Sequence, residues 1–379
     1  MTTIRQPGAD EILGRLDRVI QETVGRHAEA VSREGRHPRE SIRALAAEGL
    51  MGMIIPPGYG GLGATNLTLS RAMMRISRVC PSTAVTYSVH NSLCSWCLTN
   101  FATPDQKSRY LPKLACGEWL GAYSLTESHS GSDAAGLRCR ARKDGEVYRL
   151  TGTKAFVTNG ADADLFILFA RTAETDKPSK GVTAFLVERA SPGFRVGKTE
   201  KKMGLSGSQC VELVFEDCPV PAANLLGQEN QGFKIAMAAL DGGRVGIASQ
   251  ALGIAEAALA DSLERARAIE DPDPYGDREM RDFRLAEMAT RIDAARLLIE
   301  RAASLRDSGQ PHTREAAMAK LFASQTADEV TREAVALAGP AGISGRGRFE
   351  RQLRDARITE LYEGTTEIQK LVISRQILS

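Results

Sequence analysis

Along this chain the hydrophobic positions change period twice. From Ile12 to about Trp119 the spacing is helical, and ESIRALAAEGLMGM is an amphipathic run that stops at IPPGYGGLG. A second helical run, LTLSRAMMRISRV, ends before Pro81, and Pro104 opens a third, PDQKSRYLPKLACG. The period then shortens. EVYRLTGTKAFVTNG, DLFILFAR, GVTAFLVERASPGFRV and CVELVFEDCPVP are brief apolar runs punctuated by glycine, asparagine and proline, which predicts antiparallel strands of a sandwich or barrel. From Gln231 to Ser379 long helical patterns rich in alanine and leucine return. The order helical, β, helical predicts an α+β chain with an N-terminal helical domain over 1–119, a central antiparallel β domain over 120–226 and a C-terminal helical bundle over 227–379. Runs such as REAAMAKLFASQTADEVTREAVALAG carry wide small-residue faces of the kind that bundle and bury surface in an oligomer.

One local pattern near the C-terminus stands apart. In RDARITELYEGTTEIQKLVISRQIL, Gly364 interrupts the run and Thr365 or Thr366 can cap the next segment. Ile368, Leu371, Val372 and Leu378 then give a mostly helical spacing. Glu363 is thereby expected in a tight loop at a helix N-terminus. Taken alone, a Tyr-Glu-Gly between Glu360 and Glu367 reads as a solvated turn.

Length and composition narrow the function. At 379 residues the chain exceeds one ordinary core, so two or three domains are expected. Its 49 basic and 47 acidic side chains leave a formal charge of +2, which gives no support to nucleic-acid or membrane-surface binding. No apolar run approaches bilayer length, and MTTIRQPGADEILGRLDRVI has no signal-peptide core, so a cytoplasmic location is expected. The seven cysteines include a C-x-x-C, Cys94 and Cys97, but no second pair or spaced histidines complete a zinc site. A structural role is expected for that pair, and no metal for the chain.

Common catalytic fingerprints are missing: there is no G-x-G-x-x-G in a strand-to-helix setting, no P-loop and no G-x-S-x-G. Two stretches do offer ligand chemistry. YSLTESHSGSDAAG precedes the strands and GTKAFVTNGADAD lies within them, bringing the hydroxyls of Thr126, Ser130, Ser132 and Thr158 beside flexible backbone. Amides near glycine can bind phosphate without a basic side chain.

Five motifs in order, LTESHSGSDAAG, GTKAFVTNG, KMGLSGSQCVELVFEDCPVP, GFKIAMAALDGGRVGIASQALGIAEAAL and RDARITELYEGTTEIQ, make the chain resemble the acyl-CoA dehydrogenase family, nearest its short-chain, butyryl-type branch. The resemblance implies an N-terminal helical domain, a central β domain and a C-terminal four-helix bundle, with FAD between the last two, tetrameric assembly, and electron-transferring flavoprotein as acceptor. It assigns Tyr123, Leu125, Thr126, Gly131, Ser132, Phe156 and Thr158 to the flavin, with Phe156 where most members have tryptophan. Thr365 and Glu367 match positions near its adenosine end. Ser132, Asp241, Arg244, Tyr362 and Gly364 are assigned to substrate, an acyl-CoA or acyl-carrier-protein thioester. Glu363 matches the catalytic base of the short- and medium-chain branches, whereas other branches carry the base where this chain has Gly243. In such a reaction the glutamate takes the α-proton and a hydride leaves the β-carbon for the flavin N5. The thioester carbonyl is held by the base's own N–H and a ribityl hydroxyl.

Three departures bear on the cofactor. Where the family has an arginine and FG.P reaching a neighbour's FAD, this chain reads RARAIEDPDPYGDREM, with Glu270, Asp271 and Asp273. Where the family has Q..GG.G, it reads AVALAGPAGISG, with Ala336 and Pro340 at the altered positions. Ser128 and His129 replace the usual proline and glycine. These leave room for a homotetramer in which Arg265, Arg267 or Arg278 compensates, for a heterotetramer whose other subunit supplies the contacts, and for a non-catalytic scaffold with impaired FAD binding.

Overall fold

The computed structural model describes residues 7–268, 278–344 and 347–378. The first region is helical. α1 (Ala9–Val19) runs through a π-helical turn, Ile20–Val24, into α2 (Gly25–Glu34), followed by α3 (Arg39–Ala47) and α4 (Asn66–Val79). Pro81 opens α5 (Pro81–Ser88), which continues through a second π-helical segment, Val89–Ser95, into α6 (Trp96–Phe101). α7 (Pro104–Ala115) starts with a full capping box between Thr103 and Gln106, and its first-turn proline forfeits no hydrogen bond there.

The central strands are β1 (Gly121–Ser124), β2 (Arg140–Asp144), β3 (Val147–Thr158), β4 (Leu165–Arg171), β5 (Val182–Glu188), β6 (Phe194–Thr199), β7 (Cys210–Pro221) and β8 (Leu225–Leu226). They form one sheet in the order β6-β7-β3-β2-β4-β5-β8, with β1 added beside β4. The ladders are antiparallel with two exceptions: β1 and the end of β2 both run parallel to β4. β1 enters straight from the helical region, and the β2–β3 hairpin lies between it and β4 in sequence, so a hairpin turn cannot join the two.

β4 explains why DLFILFAR has no alternation. Leu165, Ile167 and Phe169 face α8 and the helical region, while Phe166, Leu168 and Ala170 face the half of the sheet built from β3 and β7. A strand covered on both faces is apolar throughout. The ring contacts Tyr148–Phe185 (5.1 Å) and Phe166–Phe194 (4.9 Å) join the two halves of the bent sheet.

The chain then enters α8 (Gly232–Ala268), followed by α9 (Arg278–Asp307), α10 (Thr313–Ala338), a short α11 (Pro340–Ile343), α12 (Arg348–Arg357) and α13 (Thr366–Leu378). α8 serves two cores. Ile235, Ala236 and Ala239 pack against the sheet, and residues from Val245 to Ala258 fill the bundle with α9 and α10. The stretch between them, Asp241–Arg244, therefore lies at the junction of sheet and bundle. No helix among the described residues is long and apolar enough to cross a membrane.

Candidate active site

Glu363 sits in the turn between α12 and α13 with φ +54°, followed by Gly364 at φ +92°. A left-handed backbone at a non-glycine residue is unfavourable and persists only where its surroundings enforce it. Here Lys320 of α10 donates to the carbonyls of Glu360 (3.0 Å) and Gly364 (2.7 Å), and Gln369 of α13 donates to those of Glu363 (3.1 Å) and Gly364 (2.8 Å). A Cβ at position 364 would stand 2.7 Å from the Gln369 amide nitrogen, so glycine suits both the dihedral and the space. Thr365 caps α13 through the Ile368 amide at 3.4 Å.

The Glu363 residue retains some exposed surface, yet its Oε2 is buried and has no hydrogen-bond partner. Burial pushes the carboxyl up to about 7, against the pull of Arg244 and Lys320. The oxygen is directed at α8: a Cβ on Gly243 would meet Oε2 at 2.4 Å and Leu93 Cδ2 at 3.1 Å. Positions 363 and 243 thus project into one space, which holds a single carboxylate. Next to it, buried Arg244 pairs with Asp241 at 2.5 Å, and Thr313 donates to the other oxygen of Asp241 at 2.6 Å. The Tyr362 hydroxyl donates to Gln250 on α8.

The loop expected to meet the flavin leaves β1. The hydroxyl of Tyr123 donates to the Ala236 carbonyl of α8 at 3.3 Å, and burial, with Cys97 and Glu363 nearby, holds that phenol well above its ordinary range. Leu125 is buried, and Thr126 is half-buried with its carbonyl bonded to Ala155 N of β3 at 2.9 Å. Gly131 lies 3.9 Å from the Thr126 methyl by its notional Cβ. Gly131 and Ser132 are open to solvent. Phe156 is 60% exposed at φ +56°, on the irregular stretch of β3 between Lys154 and Val157; Thr158 follows, half-buried. An aromatic ring held outward on a strained bulge fits a flat ligand lying on it, and the nearby hydroxyls fit a polyoxygenated chain. Glu367 is exposed in the first turn of α13. These observations are compatible with a flavin on the sheet side and substrate on the Glu363 side.

Sequence reasoning passed over the side chains that hold this arrangement. Lys154 is fully buried, donating to the Leu125 carbonyl (2.9 Å) and to Glu127 (2.8 Å), whose carboxylate also accepts from the amides of Arg138 and Cys139. Burial alone would raise Glu127, but Lys154 and the two amides hold it below the usual carboxylate range. The signal was available: Tyr148, Leu150 and Lys154 share the inward period of β3. Lys320 likewise lies one helical turn from Ala316 and from Ser324 on the packed face of α10.

The cysteine pair is structural in setting. Cys94 and Cys97 are buried and unpaired, and burial pushes Cys94 up to about 12. Buried His90 accepts from Gly121 N and contacts the Leu114 carbonyl. Among the described residues no group of three or more His, Cys, Asp or Glu has metal-binding geometry. Of the departures, Glu270, Asp271 and Asp273 lie outside the described residues. Arg265 and Arg281 line a small hollow with Leu337 and Ala338, which places cations beside the altered end of α10.

Sequence models of the acyl-CoA dehydrogenase N-terminal, middle and C-terminal domains match residues 7–118, 122–218 and 230–378. The chain belongs to the acyl-CoA dehydrogenase family. It is 46% identical to an acyl-CoA dehydrogenase of Bacillus subtilis over 352 residues, covering 93% of both chains. It is 44% identical to a short-chain specific acyl-CoA dehydrogenase of Clostridium acetobutylicum over 347 residues, 90% of each. The butyryl-CoA dehydrogenase structure from Megasphaera elsdenii superposes over 100% of both chains with a TM-score of 0.95 at 39% identity. Members of the family are FAD-dependent oxidoreductases acting on CH–CH bonds, in agreement with the expected enzyme class, cofactor and fold.

Proposed function

We propose that this protein desaturates a short acyl-CoA between its α and β carbons, with Glu363 as the base. The supporting observation is the buried, unpartnered Oε2 of Glu363 with a carboxyl pKa raised to about 7. A base poised there is ionised often enough near neutrality to accept the weakly acidic α-proton, yet basic enough to hold it. Arg244 and Lys320 favour the ionised form; burial favours the protonated product. FAD bound there would supply the acceptor for the hydride that leaves the β-carbon. Tyr123, Leu125, Thr126, Gly131, Ser132, Phe156 and Thr158 would hold it on the sheet side, with Thr365 and Glu367 toward its adenosine end. Ser132, Asp241, Arg244, Tyr362 and Gly364 would orient the thioester. The Glu363 amide would donate to its carbonyl and steady the negative charge that develops there.

The short acyl group is favoured by Leu93 lining the same space at Gly243 that the Glu363 oxygen enters, and by the substrate terms in the relatives' names. Assembly as a homotetramer, delivery of electrons to an electron-transferring flavoprotein and operation in the cytoplasm complete the reading. Six buried, unpaired cysteines suit a reducing compartment. The test is Glu363→Gln in the flavin-loaded protein. It should bind butyryl-CoA and leave the flavin absorbance unbleached; bleaching at the normal rate would refute the assignment.

A further inference from the structure

Lys320 is fully buried, and both of its hydrogen bonds go to peptide carbonyls, those of Glu360 and Gly364. These carbonyls flank the turn that carries Glu363. Neutral donors would satisfy them equally well, and burying an ammonium without a hydrogen-bonded carboxylate is unfavourable. Burial accordingly pushes Lys320 down to about 8, with Glu363 and Glu360 acting against it through their charge. Hydrogen bonding accounts for a donor at this position, but not for a cation.

We propose that Lys320 is a positioning residue for the base: its two hydrogen bonds fix the 360–364 turn so that the Glu363 carboxylate meets the substrate space at Gly243, and its charge favours the ionised carboxylate. The proposal rests on Glu363 being the base. Gln369 shares the positioning part of this work through the Glu363 and Gly364 carbonyls, but brings no charge.

The charge environment fixes the direction of the effect. Glu363 is faced by Arg244 from α8, Lys320 from α10, Tyr123 from β1 and Tyr362 from its own turn. Lys320 is faced by Glu363, Glu360 and Arg244, and by Glu367 from α13. The base must be ionised to accept a proton, so turnover rises with pH through the Glu363 titration. Removing the Lys320 charge leaves Arg244 as the remaining named cation opposing burial, and the acidic limb moves to higher pH.

The experiment compares wild type, Lys320→Met, Lys320→Arg and Gln369→Met, each as the flavin-loaded full chain. For Lys320→Met with butyryl-CoA, kcat should fall by about 10- to 100-fold while KM changes by less than about threefold. The acidic limb should rise by roughly half to one pH unit. Hydrogen–deuterium exchange of the 360–366 amides should quicken by about tenfold or more, a readout independent of turnover. Lys320→Arg should return the limb toward its wild-type position without restoring the full rate. An unchanged limb, exchange rate and kcat in Lys320→Met would overturn the proposal. If that variant does not fold, Lys320→Arg decides: kcat should drop and exchange quicken with the limb near its wild-type position, and wild-type kcat and exchange there would equally overturn the proposal, while Gln369→Met should quicken exchange with the limb unmoved. Glu363→Gln is the control that separates the two readings. Normal bleaching in that variant removes the base assignment itself, whereas an inactive Glu363→Gln beside a wild-type-like Lys320→Met removes only the role of Lys320.

Discussion

Two buried lysines hold two loops in this molecule, and they do so differently. Lys154 grips the loop after β1 by pairing with Glu127, whose carboxylate is further bonded to two backbone amides. Lys320 grips the loop before α13 through carbonyls alone, and the carboxylate beside it, Glu363, has a buried oxygen with no partner. The first carboxylate is held below its ordinary range despite burial, and the second is raised to about 7. A carboxylate whose lone pairs are occupied is scaffold. One left unpartnered in a desolvated place is free to take a proton, and a strained backbone at φ +54° is the local sign of what that placement requires.

The contrast can be broken most sharply at the two carboxylates. Glu363→Gln should lower turnover by about 10²- to 10⁴-fold, measured by flavin bleaching with butyryl-CoA, at little expense in stability. Removing the scaffold lysine should do the reverse. Lys154→Met leaves Glu127 buried with its two amide bonds but no cation, so denaturant unfolding should show a loss of about 3 kcal/mol. Equal stability of Lys154→Met and wild type would show that this pair does not hold the loop.

The pH dependence of stability should also have opposite signs in the two loops. Glu363 has a folded-state pKa raised from 4.5 to about 7, so its contribution is complete below the unfolded value and is lost as the pH climbs through 7. Glu363→Gln should therefore gain on wild type between about pH 5 and 8, by on the order of 3 kcal/mol at most. Glu127, with its pKa lowered, contributes stability above the ordinary carboxylate value that disappears as acid titrates it through the lower folded value. Thermal melts across pH for wild type, Glu363→Gln and Glu127→Gln would show whether the slopes diverge.

Two smaller effects sharpen the geometry. Gly243→Ala puts a Cβ where it meets the Glu363 oxygen at 2.4 Å, so on the proposed role kcat should fall by about tenfold or more as that carboxylate is displaced. Wild-type kinetics would mean that the turn yields freely. Phe156→Leu removes the outward ring and should weaken flavin retention by only a few-fold, read by dialysis and absorbance.

Much of this was legible along the chain. The two changes of period, the prolines that open α5 and α7, and the threonine cap before α13 are local properties, set by sterics and by the hydrogen-bonding needs of helix ends. Glu363 itself was visible because a recognisable motif surrounds it. Its chemistry was not. Whether that glutamate is a solvated turn residue or a base depends on α8 and α10 closing over it. Those helices lie more than a hundred and about forty residues away in sequence, and desolvation is a sum over whatever the fold brings near. The same holds for Lys154 and Lys320, whose inward positions follow from the local period but whose partners do not. Local spacing determined the elements and their faces in this protein, while the tertiary structure alone decided which of two buried carboxylates is paired and which is left without a partner, because electrostatic environment is fixed by proximity in space rather than along the chain.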